Sequence, residues 1–239
     1  MTPSERTGVG LAIFVKTPGL SPLKTRLAAD VGRETADRFY ELSLRAVAAV
    51  AAAARDRGTL APYWAVAEDA ALDDDRWAEF ETLSQGEGEL GERIDTVYRR
   101  LLSRHRAAVL VGADMPHLPL ETLSRFAAMA DGGETEFAML PADDGGFVLF
   151  AGTREIPTDV WRDVPYSVTT TADRLLDELG PLGRTYTEHP AFDVDDGPSF
   201  RRLASVTKKG LLDEQAAVID FCRDTNEIRP VEKSPSRQA

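Results

Sequence analysis

Residues 8–16 read GVGLAIFVK and residues 107–112 read AAVLVG. Both are short, unbroken apolar runs without the alternation of a half-exposed strand, which predicts strands buried on both faces, as in a parallel sheet. Outward from these, residues 60–67 (LAPYWAVA) read as another strand, residues 137–140 and 147–151 as two more, and residues 184–188 as a short last one. Between them the period changes. Over residues 33–57, Phe39, Leu42, Ala46 and Val50 share one helical face before Gly58 stops it; over residues 89–106, Leu90, Ile94, Val97 and Leu101 do the same. Residues 120–130 and 170–179 are further helices, one starts at Ser199, and a weaker one covers residues 211–222. The acidic Asp73-Asp74-Asp75 is a solvated connector into a helix or strand over residues 77–84. Strands alternating with helices predict a three-layer α/β/α fold around a mostly parallel central sheet, with ligands collecting beyond the carboxyl ends of the strands.

No repeat or composition break divides the chain, so residues 1–222 read as a single domain and 223–239 as a polar, flexible tail. Asp and Glu number 40 against 28 Lys and Arg, a net charge of −12, which excludes a general nucleic-acid surface built from concentrated basic groups. Lysine is scarce: Lys16, Lys24, Lys208, Lys209 and Lys233 stand against 23 arginines. Cys222 is the single cysteine, no run is long enough for a membrane span, and the N-terminus lacks a signal layout, which together predict a cytoplasmic protein. The three histidines show no zinc spacing.

Four stretches have residue types that suit chemistry. Between the first strand and the first helix, Lys16 to Leu27 offers turn N–H groups with Lys24 and Arg26, which suits a pyrophosphate; the alternative is an exposed basic turn. Asp114 stands at the carboxyl end of residues 107–112, where a carboxylate needs solvent, hydrogen bonds or a cation such as Mg²⁺; the alternative is a helix cap. Asp193 and Asp195, at a spacing of two, fall on one side of an extended segment and can join Asp114 at a metal, or belong to a solvated loop. Asp143-Asp144-Gly145-Gly146 permits close backbone approach to a ligand, or forms a plain hairpin turn.

Taken in order, Lys16…Lys24-Thr25-Arg26-Leu27, Gln85-Gly86-Glu87-Gly88-Glu89-Leu90-Gly91-Glu92-Arg93, Gly112-Ala113-Asp114-Met115-Pro116, Pro141-Ala142-Asp143-Asp144-Gly145-Gly146-Phe147 and Asp193-Val194-Asp195 resemble a family of bacterial and archaeal glycosyltransferase-like proteins. These include transferases of arsenosugar biosynthesis and radical-SAM/selenodomain-associated transferases. The resemblance spans residues 9–205. It implies the type A glycosyltransferase, or nucleotide-diphospho-sugar transferase, fold. It also implies that Lys16, Lys24, Thr25 and Arg26 hold nucleotide phosphates, and that Asp114 with Asp193 or Asp195 binds Mg²⁺ or Mn²⁺. Gln85, Leu90, Gly91 and Arg93 would frame the nucleotide, and Asp144, Gly145 and Gly146 the acceptor side, with Asp144 as base. The family's usual Trp-Ser-Thr element stands here as Tyr166-Ser167-Val168-Thr169.

The implied activity is metal-dependent transfer of a sugar from a nucleotide sugar to a small acceptor. The same residues would serve a nucleotidyltransferase that moves NMP from an NTP to a phosphorylated or acidic acceptor. A non-catalytic nucleotide-binding domain is the third possibility. In each case the partners are small molecules, with no nucleic acid and no membrane span.

Overall fold

The computed structural model describes residues 8–58, 60–133 and 135–228. The two apolar runs of residues 8–16 and 107–112 become β1 (Val9–Val15) and β4 (Ala107–Gly112), adjacent and parallel, with Phe14 opposite Gly112 at their ends. β2 (Ala61–Val66) lies on the other flank of β1, and β3 (Glu81–Ser84) beyond it. β5 (Phe137–Pro141), β6 (Phe147–Gly152) and β7 (Thr185–Thr187) complete a seven-stranded sheet of order β3-β2-β1-β4-β6-β5-β7. Only β6 runs against the rest, pairing antiparallel with β4 and β5, so the expected mostly parallel three-layer fold is correct. The chain leaves β1 toward β3 and then returns to β4 on the opposite flank. That reversal opens a crevice at the carboxyl ends of β1 and β4, the place where open α/β sheets bind ligands.

Burial on both faces explains the unbroken apolar runs. Leu11, Ile13 and Val15 point to one face, covered by α2 (Arg33–Asp56) and α4 (Leu120–Gly132). Ala12 points to the other, beneath α3 (Leu90–Arg104), α5 (Thr158–Asp163) and α6 (Thr171–Leu179), where Tyr98, Phe150 and Trp161 pack together. A third cluster joins Leu27 of α1 (Thr25–Val31) and Phe39 of α2 to α7 (Gly197–Ala204) and α8 (Asp213–Ile228) through Phe200, Val218, Ile219 and Cys222. No helix among the described residues is long and apolar enough to cross a membrane.

Three local expectations are corrected. The loop before α2 contains the extra helix α1, whose seven residues are too few to show a period, and Gly32 at φ 86° turns the chain between the two. The acidic connector folds into short 3-10 turns at Asp69–Ala71 and Asp75–Trp77, because Trp77 must reach Trp64 and bury. α8 runs on to Ile228, so residues 223–228, expected in a polar tail, are helical. Arg223 anchors them by donating to the Ala204 and Val206 carbonyls. The rest of the expected tail lies outside the described residues.

Candidate active site

The crevice is organised around Lys24. This residue caps α1 in the left-handed region at φ 42°, a conformation that costs a non-glycine residue about 1 kcal/mol or more, and its side chain is almost fully buried. The ammonium pairs with the Asp114 carboxylate, with Asp195 Oδ1 at 2.6 Å, and donates to the Val194 carbonyl at 2.7 Å. All three N–H donors are thereby used. Burial by itself would lower the Lys24 pKa, but the charges of Asp114 and Asp195 outweigh it and hold the ammonium above its ordinary value. The tip of β4 is tied to the acidic segment through the backbone as well, since Val194 N–H donates to the Asp114 carbonyl at 2.9 Å.

Two adjoining cavities open here, of about 380 and about 270 Å³. They share Phe14, Leu90, Gly112 and Asp114. The first has Lys16, Lys24, Thr25, Arg26, Gln85 and Asp195 in its wall. Lys16 is exposed, and Arg26 is largely solvated while it pairs with Asp196 at 3.1 Å. Gln85 is buried and gives its amide N–H₂ to the carbonyls of Val15 and Ala65, which fixes its orientation at the strand ends. The second cavity has Asp144, Gly146, Asp193 and the Tyr166-Ser167-Val168 segment in its wall. Asp144 Oδ1 accepts from Gly146 N–H at 2.9 Å, within what is also the β5–β6 hairpin turn. The sequence thus forms the hairpin turn, with Asp144 and Gly146 on the side of the second cavity.

Several expected site residues lie elsewhere. Gly91 is a packing glycine: a Cβ there would stand 2.1 Å from the Trp161 carbonyl, so its role is the close approach of α3 to α5. Arg93 donates to the Gly88 carbonyl and belongs to neither cavity wall. Gly145 lies behind the wall, at φ 92°, with its backbone against Thr169. Asp193 and Asp195 reach different cavities, because Asp193 sits beside Asp144 while Asp195 turns to Lys24. Accordingly, among the described residues no group of three or more His, Cys, Asp or Glu side chains converges closely enough to hold a metal. Lys24 stands between Asp114 and Asp195 instead.

The donor set nevertheless suits a hard cation in kind, since all its ligands are carboxylate oxygens. Asp114, Asp144, Asp193 and Asp195 are balanced locally by one buried ammonium. Burial, followed by the charges of Asp195, Asp144 and Asp114, pushes the Asp193 carboxyl up to about 6, with Lys24 opposing. Such an excess of negative charge is of the kind a divalent ion can neutralise.

Two supporting residues escaped the sequence reading. The Tyr40 hydroxyl, on α2, donates to the Lys16 carbonyl at 2.8 Å and accepts from Lys16 N–H at 3.0 Å. Glu68 Oε2 accepts from Thr17 N–H at 2.7 Å. Together they pin the start of the basic loop. The one available signal was a tyrosine on a buried helix face, where a phenolic hydroxyl needs a partner.

Solved structures with this fold include a Desulfovibrio desulfuricans G20 protein provisionally assigned as a nucleotide-diphospho-sugar transferase. It is 20% identical, with 93% of this chain and 96% of that chain covered and a TM-score of 0.80. The 4-diphosphocytidyl-2C-methyl-D-erythritol synthase of Anaerococcus prevotii DSM 20548 is 9% identical over 91% of this chain and 99% of that one, with a TM-score of 0.52. At such identities the likeness is one of fold, and it is the nucleotide-diphospho-sugar transferase fold that the motifs implied. No curated protein matches the sequence. Residues 46–168 match the family described as "Uncharacterized protein conserved in bacteria", and the chain belongs to that family, DUF2064.

Proposed function

We propose that this chain is a metal-assisted glycosyltransferase that moves a sugar from a nucleotide-sugar donor to a small acceptor. One observation carries the reading: two cavities of opposite character meet at Asp114, one with Lys16, Lys24 and Arg26 in its wall and the other with Asp144 and Asp193. The first suits the donor's diphosphate and the second the attacking group. Lys16 and Arg26 bind phosphate oxygens from the open side, while Lys24 holds the Asp114 and Asp195 side chains in place through its ion pairs. Mg²⁺ or Mn²⁺, held by Asp114 with Asp193 or Asp195, would supply further neutralisation of the departing nucleoside diphosphate.

In the transfer, the acceptor oxygen bonds to the anomeric carbon as the bond from that carbon to the diphosphate oxygen breaks. The nucleoside diphosphate leaves with the electron pair, and the acceptor's proton passes to the Asp144 carboxylate. Lys16 and Arg26 lower the barrier by meeting charge that grows on the leaving group.

The test is to incubate the protein with Mg²⁺ or Mn²⁺ and panels of nucleotide sugars and of NTPs, and to score the phosphate product. Nucleoside diphosphate from a nucleotide sugar is the expected result. Pyrophosphate from an NTP would make the chain a nucleotidyltransferase, and nucleotide binding without any product would make it a binding domain. Asp114→Asn is expected to abolish metal-dependent nucleotide binding in calorimetry; retained binding would overturn the central assignment.

A further inference from the structure

The second cavity has a charge pattern that selects what enters it. Its charged lining consists of Asp114, Asp144 and Asp193, and no lysine or arginine lines it among the described residues. Lys24, the nearest ammonium described above, has spent its donors on Asp114, Asp195 and the Val194 carbonyl. The rest of the wall is apolar or aromatic, with Phe14, Ile94, Phe147, Val148 and Tyr166 prominent. Leu90 and Val168, each 44% exposed, also belong to it. They are two of only three large hydrophobic side chains left exposed among the described residues, and apolar surface left open at a concave site is the mark of a ligand's apolar body. The backbone here is also held in an uncommon shape. Ser167 lies at φ 60°, and the Gly145 carbonyl accepts from Ala172 N–H at 2.8 Å, which fixes the hairpin against the start of α6.

We propose that this cavity takes an uncharged or cationic acceptor, with a compact apolar or aromatic body and one hydroxyl or amine directed at Asp144, and that it rejects phosphorylated and carboxylated acceptors. The proposal rests on the glycosyltransferase reading for the word acceptor, but the selectivity itself is a binding property that can be read without turnover. Even with a divalent ion on Asp114 and Asp193 or Asp195, Asp144 keeps an uncompensated charge, so an anion entering the cavity is repelled there and finds no guanidinium or ammonium to receive it. A neutral ring loses nothing by comparison. A cation gains, and the aromatic walls add to the gain.

The experiment measures binding of four probes that each carry a single benzene ring, namely 2-phenylethanol, tyramine, phenylacetate and phenyl phosphate, by ligand-observed NMR with Mg²⁺ present and with nucleotide titrated separately. Expected are binding of 2-phenylethanol and tyramine, and binding of the two anions weaker by about a hundredfold or undetectable. Asp144→Asn, which keeps an oxygen for Gly146 N–H, should cost tyramine about tenfold while 2-phenylethanol changes little. Val168→Lys, at an exposed position, should reverse the order in favour of the anions. Anion binding equal to or tighter than that of the neutral and cationic probes would overturn the proposal, as would no binding of those two probes at about 10 mM. Failure of nucleotide binding alone would overturn the glycosyltransferase reading and leave the selectivity standing.

Discussion

Lys24 shows what a single residue does when its backbone and its side chain are both constrained. Its left-handed φ turns the chain into α1 and aims the ammonium at two carboxylates from distant segments. Lys24→Met should therefore weaken nucleoside diphosphate affinity by at least about tenfold, because Asp114 and Asp195 lose their counter-charge and repel the phosphates. Calorimetric titration reads this directly; unchanged affinity would leave Lys24 a buried counter-ion with no part in nucleotide binding. His117 is a second residue with a predictable signature. It is buried against Phe192, with its Nδ1 lacking any partner, and burial followed by the Arg202 charge lowers its pKa to about 4. The unfolded chain takes up that proton near pH 6.5, whereas the folded chain refuses it until about pH 4. Stability is therefore full above pH 6.5 and is lost as pH falls toward 4, by about 3 kcal/mol for this group. His117→Phe should remove that part of the acid sensitivity, as urea unfolding at pH 4.5 and pH 7 would show.

At the scale of elements, the site depends on two pinned loops. Tyr40 of α2 satisfies both backbone groups of Lys16. Tyr40→Phe should cost about 1–3 kcal/mol, since Lys16 N–H and its carbonyl lose their partner, and should weaken nucleotide binding as the loop shifts. A thermal melt paired with nucleotide titration separates the two effects. The β5–β6 hairpin is held in a different way. Gly145 lies at φ 92°, and a Cβ there would stand 2.1 Å from the Thr169 carbonyl. Gly145→Ala combines a disfavoured dihedral with that clash, so a loss of about 2 kcal/mol or more is expected in denaturant unfolding. The sequence showed that glycines were needed in this turn. It did not show which of the pair faces the cavity and which lies against α6, because that depends on the neighbouring helix.

For the whole molecule, the net charge of −12 sets a self-repulsion that salt should relieve. Raising NaCl from about 0.1 to 1 M shortens the Debye length from about 10 to about 3 Å. The melting temperature should rise by about 2–4 °C, equivalent to about 1 kcal/mol for a chain of this size. A flat or falling salt response would mean that the surface ion pairs, such as Arg57–Glu121 and Arg104–Glu81, outweigh the repulsion. The acidic balance also divides by place. Most of the acids are solvated, whereas Asp114, Asp144, Asp193 and Asp195 gather beyond one end of the sheet because β1, β4 and β5 run parallel and the segment of Ala191 to Asp195 pairs there with Ala142 and Asp114.

The sequence by itself determined the layers and their order. Residues 8–16 and 107–112 carry no polar side of their own before the loop, so both faces of their strands had to be covered, and strand–helix alternation then leaves a mostly parallel sheet. It also placed Lys24, Asp114 and Asp144 beyond the carboxyl ends of strands, the side on which open α/β sheets bind ligands. Only the tertiary structure decided how these charges combine. Lys24 and Asp195 are separated by most of the chain, and their contact exists because Val194 hydrogen-bonds to the backbone of Asp114. A spacing of two along an extended segment predicts which side a residue takes, but not which cavity lies there. Asp193 and Asp195 therefore part company, and Gly91 serves the packing of α3 on α5. Local periodicity is written in the order of residues; the meeting of charges from different strands depends on register and packing, which a linear sequence encodes only through the fold.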